Sequence, residues 1–290
     1  MDFLTYQRQA LKTDQVPGAY GQGVIVPMLG LAGEVGELLS EYKKHLRDGA
    51  AHKLFRAQIA EELGDLLWYV ANVASKFQLD LNEIAESNLQ KCQERWDKKH
   101  KPTGDFFDGG FPKKERLPRK FRVEITNVVE GEAVKMKAFI KGEQIGNDLT
   151  DNAYSDDGYR FHDVFHFAYA AILGWSPVTR SNLKRKRRSD SRVDEVEDGG
   201  RAIVIEEAVS ALVFDYAQKH NFLEGVSELD YHLLKNIKSL TSHLEVSLRT
   251  IADWEKAIFM GYEVWRQVTK NLGGKIFVDL EARTISYESF

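Results

Sequence analysis

The first hundred residues carry apolar side chains at three- and four-residue spacing, with little proline to interrupt the pattern. This spacing places apolar side chains on one face of an α-helix, and the turn-forming segments RDG and QLD separate the repeating stretches. The pattern predicts a short helix and then three long ones, over residues 3–12, 28–46, 53–77 and 80–99. Such helices bury their apolar faces against one another, so we expect a helical bundle.

The pattern changes between Lys101 and Asp157. The stretch PTGDFFDGGFP is typical of a linker. It is followed by RKFRVEIT and AVKMKAFIKG, which alternate apolar and polar residues on either side of the turn-forming VEGE. This alternation predicts a β-hairpin, and the tail GGKIFVDLEARTISYES predicts two short strands that can join it. Helical spacing returns between hairpin and tail, over residues 160–174, 202–219, 229–247 and 250–270.

The predicted fold is therefore mainly α, with two helical bundles and a small β-hairpin or sheet element between them. We expect one helical domain over residues 1–104 and a carboxy-terminal domain over residues 105–290. Within the second domain, the β element is expected at residues 119–145 and 275–288, and the helices at residues 160–270.

Composition excludes several classes of protein. The formal net charge of −4 gives no global reason to expect a nucleic-acid partner, and the single cysteine, Cys92, excludes an intrachain disulfide framework. No run approaches the roughly 18 consecutive apolar residues of a membrane span, and MDFLTYQRQA lacks the basic-then-apolar layout of a signal peptide. We therefore expect a cytoplasmic protein without a membrane partner.

The two helical regions resemble each other. IAEELGDLLWYV, which begins at Ile59, aligns without a gap with VIEEAVSALVFDY, which begins at Val204. Upstream, Glu34 and Glu37 have counterparts in Asp163 and His166, which are also three residues apart. These matches predict an internal duplication. The alternative is that two buried helices look alike by composition alone.

Two pairs of carboxylates stand at helical spacing in the first region. Residues three apart lie on one face of a helix, so Glu34 projects with Glu37, and Glu62 projects with Asp65. Glu41 continues the first row. Carboxylates that converge on one space repel one another unless a cation neutralises them. Mg²⁺ suits such a site because it prefers hard oxygen ligands and leaves positions to water and phosphate.

Three glycines, Gly33, Gly36 and Gly64, each directly precede one of these acids. Each glycine lowers the stability of a helix by roughly 1 kcal/mol relative to alanine. We interpret them as positions where a neighbouring helix or a bound nucleotide approaches the backbone. The alternative is that they relieve crowding between helices while the acids form a solvated face.

The combined pattern resembles the MazG-like, all-α nucleoside triphosphate pyrophosphohydrolases. Their paired acidic motifs on two antiparallel helices precede an Asn-x-x-Lys-x-x-x-Arg segment, which SNLQKCQERW reproduces with Asn88, Lys91 and Arg95. This resemblance covers about residues 25–100. Residues 115–290 resemble the carboxy-terminal domain of some of these enzymes, through LTDN, DGYRFHDVFH, GWSPVTR and EDGGRAIVIEE.

The resemblance implies an enzyme that hydrolyses nucleoside or deoxynucleoside triphosphates to the monophosphate and pyrophosphate. It implies that Mg²⁺, for which Mn²⁺ can substitute, is held by Glu34, Glu37, Glu62 and Asp65. Either Glu37 or Glu62 would activate the attacking water, and Asn88, Lys91 and Arg95 would bind the substrate. It also implies a homodimer or larger homo-oligomer, although the second helical region could replace a partner chain.

Two aromatic residues, Trp68 and Tyr69, follow Asp65 closely. They are expected in the core of the bundle; contact with the nucleotide base is the alternative.

The segment DGYRFHDVFH brings His162, Asp163 and His166 within five residues. Adjacent His and Asp are typical of HD-type metal-dependent phosphohydrolases, and two histidines four residues apart can bind zinc on one helix face. An HD-type site would also need further histidines and a distant aspartate.

The duplication would place Glu206 and Glu207 beside this segment, but Ser210 stands at the position that matches Asp65. We therefore interpret the second region as degenerate in metal binding, with His162, Asp163, His166 and Glu207 as a candidate site.

The basic run at residues 184–188 is expected to be a solvated loop, with phosphate capture by Arg185, Arg187 or Arg188 as the alternative. Two further functions remain open from the sequence. One is a nucleotide-binding sensor or regulatory module with little turnover; the other is an HD-type phosphohydrolase centred on the carboxy-terminal half.

Overall fold

The computed structural model describes the backbone of residues 1–96, 105–130 and 133–290, and the side chains of residues 1–93, 105–129 and 134–290. Packing of the chain divides it into two units, Met1–Gln93 and Glu94–Phe290. The domain boundary expected after residue 104 stays a prediction, since residues 97–104 lie outside the described chain.

Helices build the first unit, as predicted. Asp2 caps the first helix by accepting a hydrogen bond from the Thr5 backbone N–H at 2.6 Å. Trp68, on the third helix, donates from Nε1 to the Thr13 hydroxyl at 2.7 Å, which ties the segment after the first helix to the third. The helices are α1 (Phe3–Leu11), α2 (Gln22–Asp48), α3 (Phe55–Lys76) and α4 (Leu81–Trp96).

The buried apolar core of this unit is small. Ala10, Ala71 and Leu81 form it, and Tyr6 and Trp68 pack against it. Much of the apolar surface of α2 and α3 is left exposed instead, including Leu39 and Leu46 at 62% and 68% exposure. Helices are stabilised by burying their apolar faces, so this exposed surface is a candidate for contact with another helix.

One helical stretch of the described chain, Gln22–Ala51, is long and apolar enough to cross a membrane by length and composition alone. Core helices of soluble proteins and signal sequences can have the same length and apolar composition, so one such helix is weak evidence for a membrane span.

The second unit contains an antiparallel five-stranded sheet with the order β3-β2-β1-β4-β5. The predicted hairpin pairs Ile125 with Ala138, and the predicted tail strands join it where Val123 pairs with Ile276. Alternate residues of the central strand are buried, so one face of the sheet covers the core. The strands are β1 (Lys120–Glu130), β2 (Ala133–Ile140), β3 (Glu143–Leu149), β4 (Gly273–Asp279) and β5 (Thr284–Glu288).

One helix of the second unit is buried along its whole length, from Asp163 to Leu173. The longest helix of the unit packs against it at Gly261, where an added Cβ would lie 3.2 Å from the Ala168 Cβ. A fully buried helix that carries Asp163 and His166 needs polar partners for both, because unpaired buried polar groups are costly. The helices are α5 (Asp163–Leu173), α6 (Pro177–Asn182), α7 (Ser191–Val196), α8 (Gly200–Gln218), α9 (Tyr231–Leu240) and α10 (Ile251–Asn271).

The basic run is not simply a solvated loop. Arg187 is fully buried, and its Nη2 donates to Asp198 Oδ1 at 2.8 Å and to Glu245 Oε1 at 2.7 Å. Burial alone would lower the pKa of Arg187, but these two carboxylates raise it. The solvated-loop expectation is therefore wrong at this residue, and its guanidinium is committed to an internal ion network rather than to phosphate.

Candidate functional site

Helices α2 and α3 pack together in antiparallel fashion and bring acidic side chains close to one another. Glu34 on α2 and Glu62 and Asp65 on α3 each offer a carboxylate oxygen, and these oxygens all lie within 4.8 Å of one another. We call these three residues the acidic cluster. Glu37, one turn after Glu34, is exposed and lies outside this group. Three of the four predicted metal ligands are thus brought together.

The pKa of Glu62 reflects its crowded surroundings. Burial raises the pKa of Glu62, and the charges of nearby carboxylates raise it further. Those carboxylates belong to Glu34, Glu37, Asp65 and Glu41. The site is therefore rich in negative charge, which a bound cation would offset.

Glu41 has a different role from the acids that precede it. It is buried and forms an ion pair with the Lys44 ammonium, and its Oε2 lies 3.7 Å from His52 Nε2. The hydrogen bond to Glu41 raises the pKa of Lys44. Glu41 is thereby held by residues at the end of α2 and in the following turn.

The glycines divide into two kinds. A Cβ added at Gly33, Gly36 or Gly64 would meet no described atom within 4 Å, so no helix of the described chain crowds them. An added Cβ at Gly30 would instead overlap the Tyr69 ring. Sequence reasoning missed Gly30. Gly30 lies four residues before Glu34 and therefore on the same face of α2, and this spacing could have indicated its contact with α3.

The two aromatic residues after Asp65 were expected in the core, but both are half-buried. Their rings contact each other edge to face, with centroids 4.8 Å apart. Trp68 packs against the small core and Tyr69 against Gly30.

Helix α4 carries the predicted substrate-binding residues. Asn88 and Lys91 lie exposed on it. The Arg95 side chain lies outside the described part of the chain.

A second group of metal-ligand type forms in the other unit. His162, His166 and Glu207 each offer one atom, and these atoms lie within 4.8 Å of one another. Asp163 is buried but is not part of the group. The arrangement thus differs from the adjacent His and Asp ligands of an HD-type site. The Ser210 hydroxyl donates to the Glu206 backbone carbonyl at 3.0 Å.

Burial and neighbouring charges both shift the pKa values of this second group. Burial would lower the pKa of His166, but Glu206 and Glu207 outweigh it and raise the pKa to about 10. Burial and the nearby His166 lower the pKa of His162, and burial raises the pKa of Asp163. Burial would raise the pKa of Glu207, but the close contact with His166 and the charges of both histidines lower it.

Comparison with known proteins gives matches in both units. The family model described as MazG nucleotide pyrophosphohydrolase domain matches residues 23–100, and that described as MazG C-terminal domain matches residues 102–290. The Gene 37 protein of Mycobacterium phage L5 is 37% identical over 99 residues, which cover 32% of this chain and 87% of that protein. No solved structure matches the chain.

Proposed function

Because the chain belongs to the MazG family and carries its nucleotide pyrophosphohydrolase domain, we propose that it hydrolyses nucleoside or deoxynucleoside triphosphates to the monophosphate and pyrophosphate. The two matches confirm the family resemblance inferred from the sequence. The observation that carries the proposal is the acidic cluster, in which carboxylates from two packed helices converge inside that domain.

The residues of the acidic cluster fit Mg²⁺, with Mn²⁺ as a substitute. Its donors are all carboxylate oxygens, which hard divalent cations prefer. The charges of the neighbouring carboxylates add to burial in raising the pKa of Glu62, and a bound cation would offset them. In this proposal Glu34, Glu62 and Asp65 hold the metal, and Glu37 completes the ligand set. When bound, Mg²⁺ would neutralise phosphate oxygens and lower the pKa of water.

The remaining residues would bind substrate and move a proton. Either Glu37 or Glu62 accepts the proton of the water that attacks the α-phosphorus. The Lys91 ammonium and the Arg95 guanidinium bind phosphate oxygens, for which a compact charge and a planar fork are suited. Asn88 assists beside them. The open space at Gly33 and Gly36 leaves the backbone of α2 accessible to a ligand or a partner chain.

The exposed apolar surface of α2 supports a homodimer. Its apolar residues repeat at alternating three- and four-residue intervals, the a and d pattern by which helices pair in coiled coils. We call this row the α2 stripe: Ile25, Met28, Ala32, Val35, Leu39, Tyr42 and Leu46. Leu63, Leu67 and Val70 continue the same spacing on α3 and are also exposed. A second copy of this chain would cover both rows.

We place the reaction in the cytoplasm, where a single free thiol such as Cys92 stays reduced.

Pyrophosphate release tests the proposal. The purified full chain, given a panel of canonical and modified triphosphates, should release pyrophosphate with Mg²⁺ and lose that activity in EDTA. Glu62→Gln should lower kcat/KM by about 10²-fold or more, the size expected when one electrostatic contact to a transition state is removed. Glu61→Gln is the matched control, because Glu61 is the exposed neighbour of Glu62 on α3 and lies outside the acidic cluster.

An undiminished rate in Glu62→Gln would reject this assignment of the site. Tight binding of nucleotide with no pyrophosphate release from any substrate would show a regulatory module instead of an enzyme.

A further inference from the structure

Three side chains of the second unit converge where the start of α5 meets α8. Glu207 Oε2 lies 3.6 Å from His162 Nε2 and 3.4 Å from His166 Nε2. Ligands bound to one tetrahedral Zn²⁺ at its usual bond lengths lie about 3.3 Å apart. The observed separations are close to that value and are long for direct hydrogen bonds.

The other nitrogen of each imidazole is already engaged. His162 Nδ1 donates to the Tyr159 backbone carbonyl at 2.8 Å, and a carbonyl can only accept. His166 Nδ1 donates to Glu206 Oε1 at 2.9 Å. Nδ1 therefore keeps its proton in both rings, and Nε2 is the atom that each ring offers to a metal. In the metal-free protein the raised pKa of His166 holds a second proton on its Nε2, which a bound metal ion would displace. Metal-binding histidines in proteins are commonly oriented by such contacts to a carbonyl or carboxylate.

Glu206 is held firmly in this orienting position. It is fully buried, and it accepts hydrogen bonds from the Ser176 hydroxyl at 2.6 Å and the Val178 backbone N–H at 2.8 Å. The Tyr159 ring stacks on His162 with centroids 4.4 Å apart, which fixes that imidazole as well. The two rings are thus placed by their surroundings before any ligand is present.

His166 Nε2 provides an independent indication of a ligand. The side chain is 1% exposed, and within the described chain this nitrogen has no hydrogen-bond partner of acceptable geometry. Buried polar atoms are nearly always satisfied, so an unsatisfied nitrogen aimed into a group of ligand-type atoms needs a binding partner.

We propose that His162, His166 and Glu207 bind a divalent transition-metal ion, and that Zn²⁺ is the ion best suited to them. Two imidazoles and one carboxylate favour zinc over Mg²⁺, which prefers oxygen ligands. Three protein ligands leave a fourth tetrahedral position for water or another oxygen ligand. The Glu207 side chain is 40% exposed, so that position is reachable from solvent.

Zinc binding to the full chain tests this proposal. The experiment uses an Asp65→Asn background and excess Mg²⁺, so that the acidic cluster does not contribute a zinc site. After treatment with EDTA and dialysis, the protein should take up one Zn²⁺ per chain, measured by elemental analysis. Co²⁺ added in its place should show the visible absorption of a tetrahedral site with nitrogen ligands.

Glu207→Gln and His162→Gln should each weaken zinc binding by at least about 10-fold, with circular dichroism verifying the fold. His220→Gln is the control, because His220 is exposed and its Nδ1 donates to the backbone carbonyl of Tyr216. Absence of zinc from the Asp65→Asn chain, or equal affinity in Glu207→Gln, would overturn the proposal. His166 would then be a buried cation between Glu206 and Glu207. Neither result depends on pyrophosphate release.

Discussion

At the scale of single residues, Arg187 shows how strongly one side chain can be committed to the fold. Its guanidinium has no exposed surface and is bound by Asp198, itself fully buried, and by Glu245. Removing one partner of a buried pair leaves the other charge buried and uncompensated, which destabilises a protein by about 3–5 kcal/mol. Arg187→Met should lower the free energy of unfolding by that amount, as measured by urea unfolding followed by tryptophan fluorescence.

Arg188→Met provides the comparison for this prediction. Arg188 belongs to the same basic run but is exposed, so its replacement should change the free energy of unfolding by no more than about 0.5 kcal/mol. Equal stability of the two variants would contradict the account of Arg187 as an internal cation.

The sequence predicted some of these residue roles and not others, for a physical reason. Glu62 and Asp65 stand three apart on one helix, and helical geometry alone places them together. The partners of Arg187 lie 11 and 58 residues further along the chain. A run of basic residues is typical of a solvated segment, and only the tertiary fold determines which member turns inward.

At the scale of elements, two glycines of α2 differ in how closely α3 approaches them, and this difference predicts opposite effects of alanine on stability. Gly33→Ala adds a methyl group where no described atom lies within 4 Å, so it should stabilise the helix by about 1 kcal/mol. Gly30→Ala would force its Cβ against the Tyr69 ring and should destabilise the α2–α3 pair despite the better helix propensity of alanine. Thermal unfolding tests both: the melting temperature of the Gly33→Ala variant should lie above that of the wild-type chain, and that of the Gly30→Ala variant should lie below it.

A lower melting temperature for Gly33→Ala would show that the space beside this glycine is filled in the assembled protein. Such a result would favour a covering helix from a partner chain over an open approach to the backbone.

Long periodic elements were predictable, whereas short or irregular ones were not. The helices of the first unit and the two strands that flank the VEGE turn were indicated by the spacing of their apolar residues. Helices α6 and α7 were missed because six residues do not establish a helical period. Strand β3 was missed because its sequence EQIGNDL has one buried apolar residue, Ile145, at the edge of the sheet.

Prediction also failed where a helix ends without proline or glycine. The segment 229–247 was expected to be one helix, but α9 ends at Leu240 and a short 3₁₀ turn forms at Glu245–Leu248. The Thr241 hydroxyl donates to the Ile237 carbonyl at 2.8 Å, and Lys238 Nζ donates to the Ser247 carbonyl at 2.6 Å. These hydrogen bonds satisfy backbone carbonyl oxygens near the end of α9 and in the turn that follows it. The spacing of apolar residues in the sequence does not reveal such contacts.

At the scale of the whole molecule, the exposed α2 stripe is the feature on which the proposed homodimer rests. A helix that exposes three heptads of apolar residues is unfavourable in water unless another helix covers them. The bilayer is a poor alternative, because Glu34 and Glu37 lie within the same helix and charged groups are costly in lipid. A second copy of the chain offers an identical row and a closed symmetric interface.

Leu39→Glu should therefore convert a homodimer into single chains. Leu39 lies in the middle of the α2 stripe at 62% exposure, and in a dimer the new carboxylates would be buried together without partners. Light scattering after gel filtration gives the mass of each species, and circular dichroism shows whether α2 remains helical. Leu248→Glu, at a residue that is 77% exposed in the second unit, should leave the mass unchanged. A wild-type chain that is monomeric at micromolar concentration would refute the dimer, and the apolar rows of α2 and α3 would then need another cover.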